Sequence, residues 1–210
     1  HNLFGLNLAK KSKSGYIILT EGNIDVVSLH QAGFDSAVAS LGTSLTGEQA
    51  RLISRYTGEV ILCYDSDEAG KKAAQRGIGI LEKLDLKVRV LTLPGAKDPD
   101  EFIKKNGADA FSNLLSGSAG QVEYRLKVVE DQHSPDPDAG KVDYLKAAAS
   151  LLASLPNAVE REVYAARVAD KAGVSRQAVL NEVDRLRRRR LREARTRESK
   201  EQTRPAVNAQ

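Results

Sequence analysis

The chain has 210 residues, 41% apolar and 29% charged, with a formal net charge of +4. That length accommodates one or two domains with a real core, and no apolar run is long enough to span a membrane as a helix. One cysteine, Cys63, excludes a disulfide framework and a cysteine-ligated zinc site, and its apolar surroundings make it a core residue. Eight arginines fall between Arg185 and Arg197, so the positive surplus belongs to the C-terminal end. The sequence starts with His, contains no Met and lacks the apolar core of a signal peptide. It therefore reads as a piece of a longer, cytoplasmic protein.

Residues 1–15 are polar and basic, with Lys10, Lys11 and Lys13 close together, and read as the end of a preceding subdomain or a linker. The three lysines form either a solvated charge run or a surface for a passing nucleic-acid strand. Tyr16–Thr20 (YIILT) is a short strand that stops at Glu21-Gly22, and the next segment has helical spacing up to Gly33. Ala37–Leu41 is a second strand. Thr46 with Gln49 makes a capping box for a helix over 46–56.

The run Val60–Tyr64 is a third, buried strand delivering Asp65 and Asp67 to a loop that opens an alanine-rich helix. Lys87–Thr92 is a fourth. A Pro94-Gly95 turn then leads to Asp98, Pro99 and Glu101, the pattern of a cap, a first-turn proline and a capping box.

Strands alternating with helices predict an α/β domain over 16–115, a mostly parallel sheet with helices on both faces. SGSAGQ reads as a linker, after which the strands stop. Helices around 141–154, 159–172 and 176–190 predict a small all-helical subdomain over 116–190, and 191–210 reads as a basic, disordered tail.

Ligands of such sheets gather beyond the carboxyl ends of the strands, where the acids fall. Glu21 ends the first strand, Asp25 lies a helical turn later, Asp65 and Asp67 follow the third, and Asp98 and Asp100 follow the fourth. Carboxylates on neighbouring strand ends can share hard divalent cations, and Mg²⁺ so held leaves positions for phosphate. That suits phosphoryl or nucleotidyl transfer. Asp25, Asp98 and Asp100 also have an explanation as helix N-terminal residues, whereas Glu21 and the Asp65/Asp67 pair are harder to explain structurally. His30 is mid-helix and His133 is in a loop, so no nucleophile–His–acid triad is evident. GxxxxGKS/T and GxGxxG phosphate loops are absent.

Glu21-Gly22 after one strand, Asp65-Ser66-Asp67 after another and Gly70 opening a helix resemble a Toprim domain, shared by primases, topoisomerases and several nucleases. EGNIDVVSLHQAGF, AVASLGTSLTGEQ, VILCYDSDEAGKKAAQR and VLTLPGAKDPDEFIKKNGADAF resemble bacterial DnaG-type primases along 4–115, and the helical part resembles the subdomain that closes their catalytic core. The chain departs from the family at Asn23-Ile24, where Tyr-Met is usual, and at Ser66, where Gly is frequent.

The resemblance implies a DNA-directed RNA polymerase that makes short RNA primers on single-stranded DNA from ribonucleoside triphosphates in the replisome. It implies Glu21, Asp65 and Asp67 as the catalytic acids on Mg²⁺ or Mn²⁺, with Asp25, Asp98 and Asp100 as accessory ligands. One ion would lie at the principal acids and a second nearer Asp98 and Asp100. A zinc-binding domain and a template-gripping subdomain are expected upstream of His1, and a domain contacting the replicative helicase beyond Gln210. Two alternatives stand beside this: a Toprim nuclease or topoisomerase piece, and a helix-turn-helix DNA-binding module built from EREVYAARVADKAGVSRQAVLNEVDRLRRRR. In that segment Val179, Val183 and Leu186 look core-facing and favour an ordinary helical pair.

Overall fold

The computed structural model describes residues 2–40, 44–133 and 138–202, and among them the chain forms two compact units, His1–Tyr124 and Arg125–Gln210. Leu41 at the end of the second expected strand, residues 134–137 of the proline-rich loop and the last eight residues lie outside the described set.

The first unit is built on a five-stranded sheet, β1 (Ile17–Thr20), β2 (Ala37–Ala39), β3 (Glu59–Leu62), β4 (Lys87–Val90) and β5 (Ala119–Gly120), in the order β2-β1-β3-β4-β5. The first four strands are parallel and β5 is antiparallel to β4. Ile17, Leu19, Val60, Leu62, Val88 and Val90 point to one face, packed by α3 (Gly47–Ile53) and α4 (Glu68–Leu81). Ile18, Ile61 and Cys63 point to the other, covered by α2 (Asn23–Gln31) and α5 (Pro99–Ser116), whose Leu29, Phe102 and Phe111 complete that core. Both faces being covered explains why these strands are unbroken apolar runs rather than alternating ones. A single helical turn, α1 (Leu6–Ala9), precedes the sheet, and α5 breaks at Gly107, whose φ of 80° leaves the helical region.

Two local expectations need correction. SGSAGQ contains β5 rather than a featureless linker: Arg89 donates to Leu115 O and Ser118 Oγ at 2.8 and 2.7 Å and pairs with Glu59 at 2.5 Å, holding that segment against β4. Glu101 does not close a capping box. Asp98 caps α5 by accepting from Glu101 N–H at 2.8 Å, but the Glu101 carboxylate accepts from Lys97 N–H at 2.6 Å. The Thr46–Gln49 box forms in both directions, at 3.0 and 3.2 Å.

α6 (Gln121–Gln132) leads into the second unit, where α7 (Asp138–Leu152), α8 (Ala158–Ala172) and α9 (Arg176–Gln202) pack on one another. Tyr144, Ala148, Leu152, Ala165, Val168, Val179 and Val183 are buried. Asn157 caps α8 through Val159 and Glu160 N–H, and Gly173, at φ 65°, ends it. A carbonyl in the turn after α7 is satisfied by arginine: Arg161 and Arg187 both donate to Leu155 O, at 2.8 and 3.0 Å. The segment expected as a tail is helical as far as Gln202. Among the described residues, no helix is long and apolar enough to cross a membrane.

Candidate metal centre

The parallel register sets the acids side by side. Leu19 pairs with Leu62, and the ladder runs one bond further, Cys63 N–H donating to Leu19 O at 2.9 Å. Glu21 and Asp65 therefore leave adjacent strands together, and Asp65 N–H donates to Glu21 Oε1 at 3.2 Å. Asp67 has a structural duty as well, since it caps α4 by accepting from Gly70 N–H at 2.8 Å. Gly70 is required by close approach: a Cβ there would lie 2.1 Å from Asp65 O and 2.9 Å from Glu21 Oε1.

The other loops are tied in by polar contacts. Ser66 N–H donates to Lys97 O and Ser66 Oγ to Ala96 O, both at 2.9 Å, which clips the Asp65–Asp67 loop to the turn before Asp98. Buried Asp25 accepts from Gly22 N–H at 3.1 Å and from Asp100 N–H at 3.4 Å. Sequence reasoning missed the Ser66 clip, because a serine between two aspartates gives no sign of which carbonyls will face it.

Burial raises the pKa of Glu21; the Asp65 N–H bond opposes this, while the charges of Asp65 and Asp67 add to it. Burial also pushes Asp25 up to about 6, despite its two N–H bonds, with Asp98 and Asp65 contributing. Asp65 is raised by burial and by Asp98, and Lys97 works against the shift. Among the described residues, none of Glu21, Asp25, Asp65, Asp67 or Asp98 has an ion-pair partner. Asp100 differs: Lys104 at 2.6 Å and the Ser28 hydroxyl hold its carboxyl below the usual range.

An oxygen-only set of mutually repelling carboxylates, none of them in an ion pair, fits a hard divalent cation. No three Asp, Glu, His or Cys side chains among the described residues are grouped closely enough to grip one ion together.

Lys10, Lys11 and Lys13 are exposed but are not brought to these acids. Ser12 bonds Asp35, just before β2, and Gly15 O accepts from Thr57, just before β3, so Lys11 and Lys13 stand by the opposite, amino ends of the strands. The helix–turn–helix segment is an ordinary packed pair: Val179 and Val183 are buried, Leu186 is partly buried, Arg176 pairs with Glu162 at 3.0 Å and Gln177 bonds Asn181.

The Toprim-like family matches residues 18–103, and a family described as the DnaB-helicase binding domain of primase matches residues 122–177. DNA primase of Clostridium acetobutylicum is 38% identical over 179 residues, covering 85% of this chain; the chain spans 30% of that relative's length. The zinc-binding and RNA polymerase domains of Aquifex aeolicus primase superpose with TM-score 0.65 at 32% identity, over 85% of this chain and 43% of that one. A DnaG primase catalytic domain bound to single-stranded DNA superposes with TM-score 0.68 at 29% identity, over 84% and 58%.

Parallel strands ending in these acidic loops, matched over 18–103, define a Toprim domain. The chain belongs to the DnaG-type primases and corresponds to part of their catalytic core, the Toprim domain with the helical region that follows. The nuclease, topoisomerase and helix-turn-helix alternatives are not favoured. A likeness to a helicase-binding domain thus falls on 122–177, inside this chain.

Proposed function

We propose that this chain supplies the metal-binding wall of a nucleotidyl-transfer centre, in a DNA-directed RNA polymerase that makes short RNA primers on single-stranded DNA from ribonucleoside triphosphates. The observation that carries this reading is the set of carboxylates without ion-pair partners on the adjacent ends of β1 and β3, in a chain of primase ancestry. Glu21, Asp65 and Asp67 are the principal catalytic and metal-binding acids, with Asp25 and Asp98 flanking them. Asp100, neutralised by Lys104, orients Asp25 through its N–H. A bound Mg²⁺ or Mn²⁺ would polarise the phosphate under attack and offset the charge that develops there. The residues' own part is to fix the carboxylates: Asp65 N–H orients Glu21, Gly70 N–H orients Asp67, and Ser66 holds the loop near Asp98.

The single-stranded template, nucleotides and growing RNA primer are the partners of this site within a bacterial, cytoplasmic replisome. The replicative helicase is a partner for the helices within 122–177. Zinc belongs to a separate N-terminal domain such as the one accompanying the polymerase domain in the Aquifex structure. Calorimetric titration of the chain with Mn²⁺, beside Asp65→Asn/Asp67→Asn, tests the proposal. Binding should be lost in the double variant while the melting curve stays cooperative, and undiminished binding would remove the central claim.

A further inference from the structure

The run of arginines that closes the second unit divides by direction. Arg187 and Arg190 turn inward and donate to main-chain carbonyls of the α7 end, Ala153 O and Leu155 O for the first and Ser150 O for the second, at 3.0–3.3 Å. Arg185 and Arg189 lie outward but are spent on Glu182 and Glu193, at 2.5 and 2.8 Å. Arg188 and Arg192 are exposed, stand one helical turn apart on that outward face and have no acidic partner among the described residues. Asp184 shares the face and forms no ion pair there. Packing therefore accounts for Arg187 and Arg190, and for neither Arg188 nor Arg192.

We infer that this outward face of α9 is a docking surface for the phosphate backbone of single-stranded nucleic acid. Guanidinium groups present planar forks of donors that match phosphate oxygens, and a row of them tracks a backbone without reading bases. A lipid surface fits less well. An interfacial helix needs an apolar stripe opposite its basic face, whereas beyond Arg190 the stretch to Thr196 offers one large apolar residue, the exposed Leu191. The assignment extends the proposed function by giving the strand a second hold, and it rests on the reading of the chain as a nucleic-acid enzyme.

Fluorescence anisotropy of a labelled oligothymidylate, titrated with the whole chain in EDTA, tests it where no metal contributes. R188E/R192E should weaken binding by at least about tenfold at low salt and flatten the plot of log affinity against log salt by about 1.4. R188Q/R192Q should fall between this and wild type, and Asp184→Asn should tighten binding. Wild-type affinity in R188E/R192E with intact helicity overturns the assignment. An equal loss in R51E/R55E, the same charge change on α3 and the turn after it, reduces the effect to net charge and also overturns it. Binding to phosphatidylserine vesicles without binding to the oligonucleotide overturns it in favour of a lipid surface. Because the titration is free of metal, failure of Mn²⁺ binding at the acids and failure of this surface are separate results.

Discussion

Asp25 is the residue whose position costs the fold most visibly. It is 6% exposed, and burial pushes its carboxyl from 3.8 up to about 6. Below the lower value both folded and unfolded chains carry the proton. As pH rises between the two, the unfolded chain ionises first, so stability falls, and by neutral pH the loss reaches about 3 kcal/mol. Asp25→Asn removes that dependence and keeps one carbonyl oxygen for the two N–H donors, as the protonated acid does. In metal-free buffer the variant should therefore gain stability relative to wild type between pH 4 and pH 8. Urea melts at the two values check the gain. A divalent cation at neighbouring acids would relieve the same penalty.

Among the elements, α4 shows how a metal-binding acid can hide behind a capping one. Asp67 both caps the helix and faces the acidic loops, and the two duties separate chemically, because Asn caps as well as Asp but carries no charge. Asp67→Asn should keep the melting free energy within about 1 kcal/mol of wild type, yet lower Mn²⁺ affinity at least about tenfold. Asp67→Ala should lose both, and calorimetry beside thermal melts distinguishes them. The sequence pattern sets Asp67 apart from the capping acids, whereas the structure gives it a cap as well. Thr46–Gln49 and Asp98-Pro99 were legible because their partners are local. The four long strands were legible from apolar runs, and their parallel order followed from the helices between them. β5 was not: two small residues held by Arg89 and Ser118 carry no periodicity. The far half of α9 was missed for a related reason, since its sequence carries no apolar stripe, the signal by which helices are recognised.

Over the whole chain, the single cysteine offers a reporter of opening. Cys63 is fully buried beneath the acidic loops, and burial pushes its thiol far above the ordinary range, so it is inert while the sheet is closed. A thiol reagent should label the native chain only as fast as the sheet opens, with the rate rising in step with urea. Labelling at the speed of a free thiol would contradict its buried seat.

The sheet also carries a short cover at each border. Beyond β2, Phe4 exchanges two main-chain bonds with Ala39, at 2.9 and 3.1 Å, and beyond β4 the short β5 lies antiparallel. A foreign strand seeking to pair directly with β4, or with β2 at Ala39, would first have to peel away one of these covers. What shields β2 at Ala39 and the outer edge of β4 from a foreign strand is thus two short stretches of chain.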